Sequence, residues 1–203
     1  IPFKSLTSKA KLAVSTLPII FIGGTPGVGK TTVAKELARK IGISFLSLGE
    51  LVQEEGFYTG YDVEKGAYIV DMEAVKRKLE TLVKGRRMIV EAHIASGLPS
   101  EQVEVAVILR LDPRVLEKRL KERGYPWAKV VENVQAEILD SCLIEAVENF
   151  GVDKVFEVDT TEKTVESVVD EVLAIIRERK GSKPGSVNWL EKLGEKALEY
   201  LEA

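Results

Sequence analysis

The segment Gly24-Thr-Pro-Gly-Val-Gly-Lys30-Thr31-Thr32 has the residue types and the spacing to hold phosphate. In the pattern G-x-x-x-x-G-K-[ST] the glycines let backbone N–H groups turn inward around phosphate oxygens, where a Cβ would obstruct them. Lys30 can then reach the β- and γ-phosphates, the Thr31 hydroxyl can hold Mg²⁺, and Thr32 is placed to meet the α-phosphate. The competing reading is a chance Gly-rich turn, and the flanks argue against it. An apolar run from Leu17 to Ile22 precedes the loop, and a helical pattern through Val33, Leu37 and Ile41 follows it. Strand, glycine loop and helix N-terminus together make a site for a nucleoside triphosphate.

Phosphoryl transfer asks a protein chiefly for charge neutralisation and positioning. Glu91 closes the apolar run Arg87–Glu91, at a strand end where parallel sheets build their ligand crevice. A carboxylate there suits a Mg²⁺-bound water or a proton, or simply pairs with a neighbouring cation. His93 is the sole histidine, and its neutral imidazole can orient an attacking water or an acceptor phosphate. A polar turn residue is the plainer alternative. Arg119 and Arg123 stand one helical turn apart, on one face of a helix that stops at Gly124. They suit a bidentate polyphosphate clamp. Read from spacing alone, they equally suit a solvated face shared with Glu117, Lys118, Lys121 and Glu122.

The elements that must position these groups follow from pattern. Strands are expected at Ile19–Gly23, at 43–48, at Arg87–Glu91, at Val103–Leu109 and at 154–158. Helices are expected from Gly29 to Ile41 with Gly42 as the stop, after the Asp71 cap, after Asp112-Pro113, and through Val165, Val168, Val169, Val172 and Ile176. Between 49 and 70 the pattern predicts a short helix, then a loop rich in Gly, Tyr and acid. One long helix is expected to carry Val131, Val134, Ile138 and Cys142 on a single stripe. The alternation predicts βαβ units and a parallel sheet covered by helices on both faces, an α/β fold. Gly181 to Ser186 reads as a linker, and Leu190, Leu193, Ala197 and Leu201 as a final amphipathic helix docking on its own domain.

Composition narrows the function. The chain has 203 residues, enough for one α/β domain, and a net charge of −3, which argues against bulk electrostatic binding to nucleic acid. No apolar run approaches the roughly 20 residues that span a bilayer. The single cysteine, Cys142, has no second thiol for a bridge or a metal pair and reads as a buried structural thiol. Residues 1–17 carry lysines and no acid, and read as a leader segment of unknown role.

Several motifs together resemble one family. They are Gly24–Thr32, Leu48-Gly-Glu-Leu, Gly60-Tyr-Asp, Ile89-Val-Glu-Ala-His93, Leu109-Arg-Leu-Asp, Glu117-Lys-Arg-Leu-Lys-Glu-Arg-Gly-Tyr125 and Glu132-Asn-Val-Gln-Ala-Glu137. In this order they are similar to adenylate kinase isoenzyme 6 and its archaeal relatives over residues 18–180, and Val187-Asn-Trp189 with its helix is similar to the archaeal branch. The resemblance implies a P-loop nucleoside monophosphate kinase fold with a five-stranded parallel sheet, a monophosphate-binding segment at 47–70 and a short lid at 122–132. It implies ATP and AMP as substrates, Mg²⁺ as cofactor, accompanying ATP hydrolysis, and a cytoplasmic protein. It further implies a role late in maturation of the small ribosomal subunit and its rRNA, through transient pre-ribosome association and a basic platform protein of that subunit.

Carried over by position, Gly27, Val28, Gly29, Lys30, Thr31, Thr32 and Arg123 bind ATP; Thr31 and Glu91 hold the metal; and Lys30, Glu91, His93, Arg119 and Arg123 are catalytic. Two positions depart from the family pattern. The strand-end pair usually reads Asp-x-His and here is Glu91-Ala92-His93, and the position that grips the monophosphate with arginine in adenylate kinases holds Gln53. Losing such a charge-assisted contact, of about 1.5–3 kcal/mol, weakens monophosphate binding by roughly 10- to 150-fold. A non-kinase alternative is an ATP-switched assembly factor whose acidic segment Glu50, Glu54, Glu55, Asp62 and Glu64 receives a basic ribosomal tail.

Overall fold

A computed structural model describes residues 19–63 and 67–202. The expected leader and Glu64 lie outside the described residues. Five parallel strands form the sheet: β1 (Ile19–Gly23), β2 (Ser44–Ser47), β5 (Met88–Glu91), β6 (Val103–Arg110) and β7 (Val155–Asp159), in the order β2-β5-β1-β6-β7. Successive side chains of β1 alternate between the two layers. Ile20 and Ile22 join one apolar cluster, and Ile19 and Phe21 join the other.

Helices α1 (Lys30–Ile41), α4 (Pro113–Glu122), α5 (Trp127–Ile138) and α7 (Val165–Glu178) cover the first face. Helices α2 (Leu48–Glu55), α3 (Met72–Leu82) and α6 (Ser141–Phe150) cover the second. Their fully buried Leu, Ile and Val side chains, such as Leu37 and Leu79, each stabilise the fold by roughly 1.5–3 kcal/mol relative to exposure. The expected caps form: Asp71 accepts from Ala74 N at 2.9 Å and Asp112 from Arg114 N at 3.0 Å. Gly42 ends α1 in the left-handed region at φ 68°.

Five expectations are corrected. The loop predicted before residue 70 is a two-stranded antiparallel hairpin, β3 (Tyr58–Asp62) with β4 (Ala67–Val70), on which Tyr58 and Tyr61 each pack on Tyr68 at 4.7 and 5.1 Å between ring centroids. The single long helix is two, α5 and α6, because Asp140 takes a left-handed conformation at φ 58° and turns the chain from one face of the sheet to the other. The buried stripe of α5 is consequently Val130, Val134 and Ile138, and Cys142 sits on the opposite layer, only half-buried.

Further along, the 181–186 segment is no free linker. Ser182 bridges to Glu157, and Gly185 N and Ser186 N donate to Glu157 Oε1 at 2.5 and 3.2 Å. Beyond it the final helix is broken at Gly194 into α8 (Trp189–Leu193) and α9 (Lys196–Leu201), both packed on the first apolar cluster. Among the described residues no helix is long and apolar enough to cross a membrane.

Candidate nucleotide site

Between β1 and α1 the chain makes a tight loop over the C-terminal ends of the central strands. A Cβ on Gly27 would lie 2.7 Å from Leu116 Cδ1, so α4 packs directly onto the loop and only glycine fits. Gly29 differs: a Cβ there would meet nothing within 4 Å, and it is φ 106° that requires glycine, on the open side of a cradle. Val28 is buried beneath this cradle, while Thr31 and Thr32 stand exposed in the first turn of α1.

Lys30 is only 7% exposed. Its Nζ donates to the Thr25 carbonyl at 3.1 Å and lies 4.0 Å from Glu91 Oε1. Burial pulls its pKa below the ordinary 10.5, against the opposing charges of Glu91, Cys142 and Glu137; the Arg123 charge adds to the lowering. Glu91 reaches this position because β5 runs between β1 and β2, with its backbone in register with Ile22 and Ser47. His93 follows in the loop leaving β5. His93 is exposed at the surface, yet partial desolvation lowers its pKa below 6.5, and the Lys30 charge lowers it further, against Glu91 and Glu145. The imidazole is therefore neutral at pH 7.

His93 lines a cavity of about 390 Å³ with Thr25, Pro26, Tyr125, Lys129 and Asn133. On its other side a small apolar cup of about 70 Å³ is formed by Leu48, Val52, Val70 and Met72. A wider groove of about 1010 Å³ runs between α1 and α7 and meets the phosphate-binding segment at Thr32.

The structure thus brings together Lys30, Glu91 and His93, with Arg123 near enough for its charge to act on Lys30. Arg119 lies one turn back along α4, outside these cavities. Among the described residues neither arginine forms an ion pair, whereas their neighbours pair with each other, Lys121 with Glu117 at 2.5 Å and Lys118 with Glu122 at 3.9 Å. The segment expected as a lid is the Arg123–Pro126 turn and the first turns of α5.

Sequence reasoning passed over a further group beneath the loop. Glu137, Arg110 and Glu157 are all but fully buried, at 1%, 1% and 0% exposure. Arg110 donates to Glu137 Oε1 and to Glu157 Oε2, each at 2.8 Å, and also to Asp140. A signal was present in the sequence: Glu137 is an acid standing among the apolar positions Val130, Val134 and Ile138.

The strand order, the glycine loop at the end of β1 and the buried lysine define the class: a P-loop kinase-type α/β fold with a five-stranded parallel sheet. Solved structures agree. The chain is similar to a shikimate kinase from Bacteroides thetaiotaomicron (TM-score 0.51, 22% identity, 78% of this chain and 97% of that one). It is likewise similar to a gluconokinase from Sinorhizobium meliloti (0.53, 18% identity, 79% and 92%), and both likenesses concern the fold alone.

A family model described as "AAA domain" matches residues 20–140. A protein named "Putative adenylate kinase" from Methanocaldococcus jannaschii is 38% identical over 85% of this chain and 93% of its own length. Proteins of the same name from Pyrococcus abyssi (39% identity, 90% and 97%) and Thermococcus gammatolerans (41%, 90% and 98%) match as fully. The chain belongs to this archaeal family.

Proposed function

We propose that the chain is a nucleoside monophosphate kinase of the adenylate kinase type, which transfers the γ-phosphoryl group of ATP to AMP and also hydrolyses ATP. One observation carries the reading: a glycine cradle whose buried lysine lies 4.0 Å from a strand-end carboxylate, with His93 beside it at the wall of a cavity.

The amides of Gly27, Val28, Gly29 and Lys30 and the hydroxyls of Thr31 and Thr32 hold the ATP phosphates. Lys30 exchanges the Thr25 carbonyl for the β- and γ-phosphate oxygens. Arg123, at the turn after α4, and Arg119 neutralise charge on the transferred group. The cup at Leu48, Val52, Val70 and Met72 takes the monophosphate base and leaves its phosphate beside His93. A phosphate oxygen of AMP then bonds to the γ-phosphorus as the bond to the bridging β-oxygen breaks, and both products are ADP. With water as acceptor, the neutral His93 imidazole accepts a hydrogen bond from it and orients it.

Among the described residues no cluster of three or more His, Cys, Asp or Glu could hold a metal alone. The oxygens of Thr31 and Glu91 suit a hard cation held mainly by phosphate and water, which fits Mg²⁺. When bound, it would neutralise the β- and γ-phosphate oxygens.

The test is ADP formation from ATP and Mg²⁺, with and without AMP. AMP should raise turnover well above the hydrolysis rate; an unchanged rate refutes the kinase reading. His93→Ala should lower ATP hydrolysis by roughly 10²-fold or more while the ATP Kd stays within about twofold. The native pH profile should fall on the acid side only below pH 6.5, since protonation costs the imidazole its acceptor, and the variant should lack that limb. A large rise in Kd would make His93 a binding residue instead.

A second reading has its own support. The expected monophosphate segment, 47–70, carries one cation, Lys65, and no arginine, Gln53 standing where an arginine is expected. A basic partner would supply that missing charge. On this reading the chain is an ATP-switched factor in small-subunit and rRNA maturation, acting in the cytoplasm, and the acidic segment receives a basic ribosomal protein. Part of that segment is already paired, Glu50 with Lys35 at 3.8 Å and Glu55 with Lys78 at 2.7 Å, so the partner would displace exposed and weakly held lysines. Stimulation of hydrolysis by a basic ribosomal tail, in the same assay, separates the two readings.

A further inference from the structure

Glu137 collects four donors from three separate parts of the chain. Its Oε2 accepts from the Thr25 hydroxyl at 2.5 Å. Its Oε1 accepts from Arg110 Nε at 2.8 Å, Leu111 N at 3.2 Å and Trp189 Nε1 at 2.9 Å. A carboxylate this deeply buried needs a cation and filled lone pairs, and Arg110 with the Leu111 amide goes far to meet that need. The Thr25 contact does something more, because it ties the acid to the phosphate loop itself. The carbonyl of the same threonine holds Lys30 Nζ at 3.1 Å. Trp189, Glu137, Thr25 and Lys30 therefore form one unbroken hydrogen-bonded chain, from the C-terminal segment to the loop lysine.

We propose that Glu137 is a positioning residue for the phosphate loop, and that Trp189 is its distal support. By fixing the Thr25 hydroxyl, Glu137 fixes the carbonyl on which Lys30 rests, and hence where the lysine starts when phosphate arrives. The indole N–H makes docking of α8 part of that support. The coupling runs both ways. When Lys30 leaves Thr25 for phosphate, the threonine peptide is released on one side, and the change reaches the indole through the shared carboxylate. The inference rests on the nucleotide reading of the loop, and the experiment keeps the two apart.

The chain has two tryptophans, so Trp127→Phe leaves Trp189 as the only indole. This variant is titrated with a non-hydrolysable ATP analogue and Mg²⁺ by calorimetry and by fluorescence in parallel. Trp189 emission should change saturably at the calorimetric Kd. Adding Thr25→Ser, which keeps the hydroxyl, should preserve the response, and adding Thr25→Val should abolish it. Heat of binding with constant emission, or a valine variant that responds like the serine one, overturns the inference. Absence of heat in both this variant and the native chain overturns the nucleotide reading, and the inference with it.

A second arm does not depend on loop variants. Trp189→Phe keeps an aromatic ring at this buried position but loses the indole N–H and part of the ring volume. It should lower kcat by roughly fivefold with the ATP KM nearly unchanged, the scale of one charged hydrogen bond partly transmitted, while the lost volume shows in the thermal midpoint. A kcat equal to that of the native chain overturns the proposal.

Discussion

Lys30→Met should lower kcat for phosphoryl transfer by roughly 10²–10³-fold, the loss typical of one transition-state donor. Methionine keeps most of the aliphatic stem and removes the charge, so the cradle keeps its shape. The same variant should not be less stable than the native chain by more than about 1 kcal/mol, and this makes the prediction specific. The reason lies in the lysine's setting. Its folded pKa is depressed below 10.5 by burial, so the folded state holds this proton less well than the unfolded chain does. Over that pH window stability rises with pH, and at neutral pH the charged lysine costs stability. Removing it relieves that cost while losing one bond to Thr25 and the 4.0 Å ion pair with Glu91. Near-native turnover would sink the phosphate-loop assignment. Lost activity accompanied by a collapse of the thermal midpoint would make Lys30 a structural residue.

Arg110→Met should behave in the opposite way, leaving the loop's chemical groups in place and unseating the fold. Arg110 is the buried cation for Glu137, Glu157 and Asp140 and also donates to the Glu137 carbonyl at 2.9 Å. Removing one partner of a buried ion network costs about 3–5 kcal/mol, because the remaining charges are left uncompensated. The sign of the pH effect follows from Glu157. Burial holds its folded pKa above 4.5 even with Arg110 present, and Arg110 is the largest of the groups that lower it. Without the arginine that pKa rises further. A carboxyl with a raised folded pKa contributes most at low pH and loses that contribution as pH rises through the folded value. The deficit of the variant relative to the native chain should therefore shrink between about pH 7 and pH 5. Urea unfolding at both pH values measures it, and a deficit below about 1 kcal/mol at neutral pH would remove Arg110 from the centre of the fold.

What could be read beforehand was what lies close together along the chain. The phosphate loop spells out its backbone conformation in the spacing of Gly24, Gly27 and Gly29, and Asp112-Pro113 announces a helix start, so the central strands and α1, α4 and α7 were legible. Asp140 was not, since apolar spacing continues through Val134, Ile138 and Cys142 as if one helix carried all three. Only the left-handed backbone at that aspartate sends them to different layers. The tyrosine hairpin was hidden for another reason. Its strands are short, Gly60 interrupts one, and its exposed residues lack the alternation that a half-buried sheet imposes. The Arg110–Glu137–Trp189 group joins residues 27 and 52 positions apart, and no local pattern reports such pairings. Of the candidate site, the nearness of Lys30, Glu91 and His93 was legible because two of them share one strand end and the third opens the helix that faces it.

The strap at 182–186 has one more consequence, for how copies of this protein behave in a crowded solution. β7 is the outermost strand on its side, and an open strand margin invites a second molecule to zip onto it. Here Ser182 occupies part of that margin, accepting from Glu157 N at 2.9 Å, while the opposite margin, β2, is only four residues long. Cutting the chain before Gly181 would uncover the five-residue edge of β7, so such a truncate should clump on standing even where the remaining domain still folds.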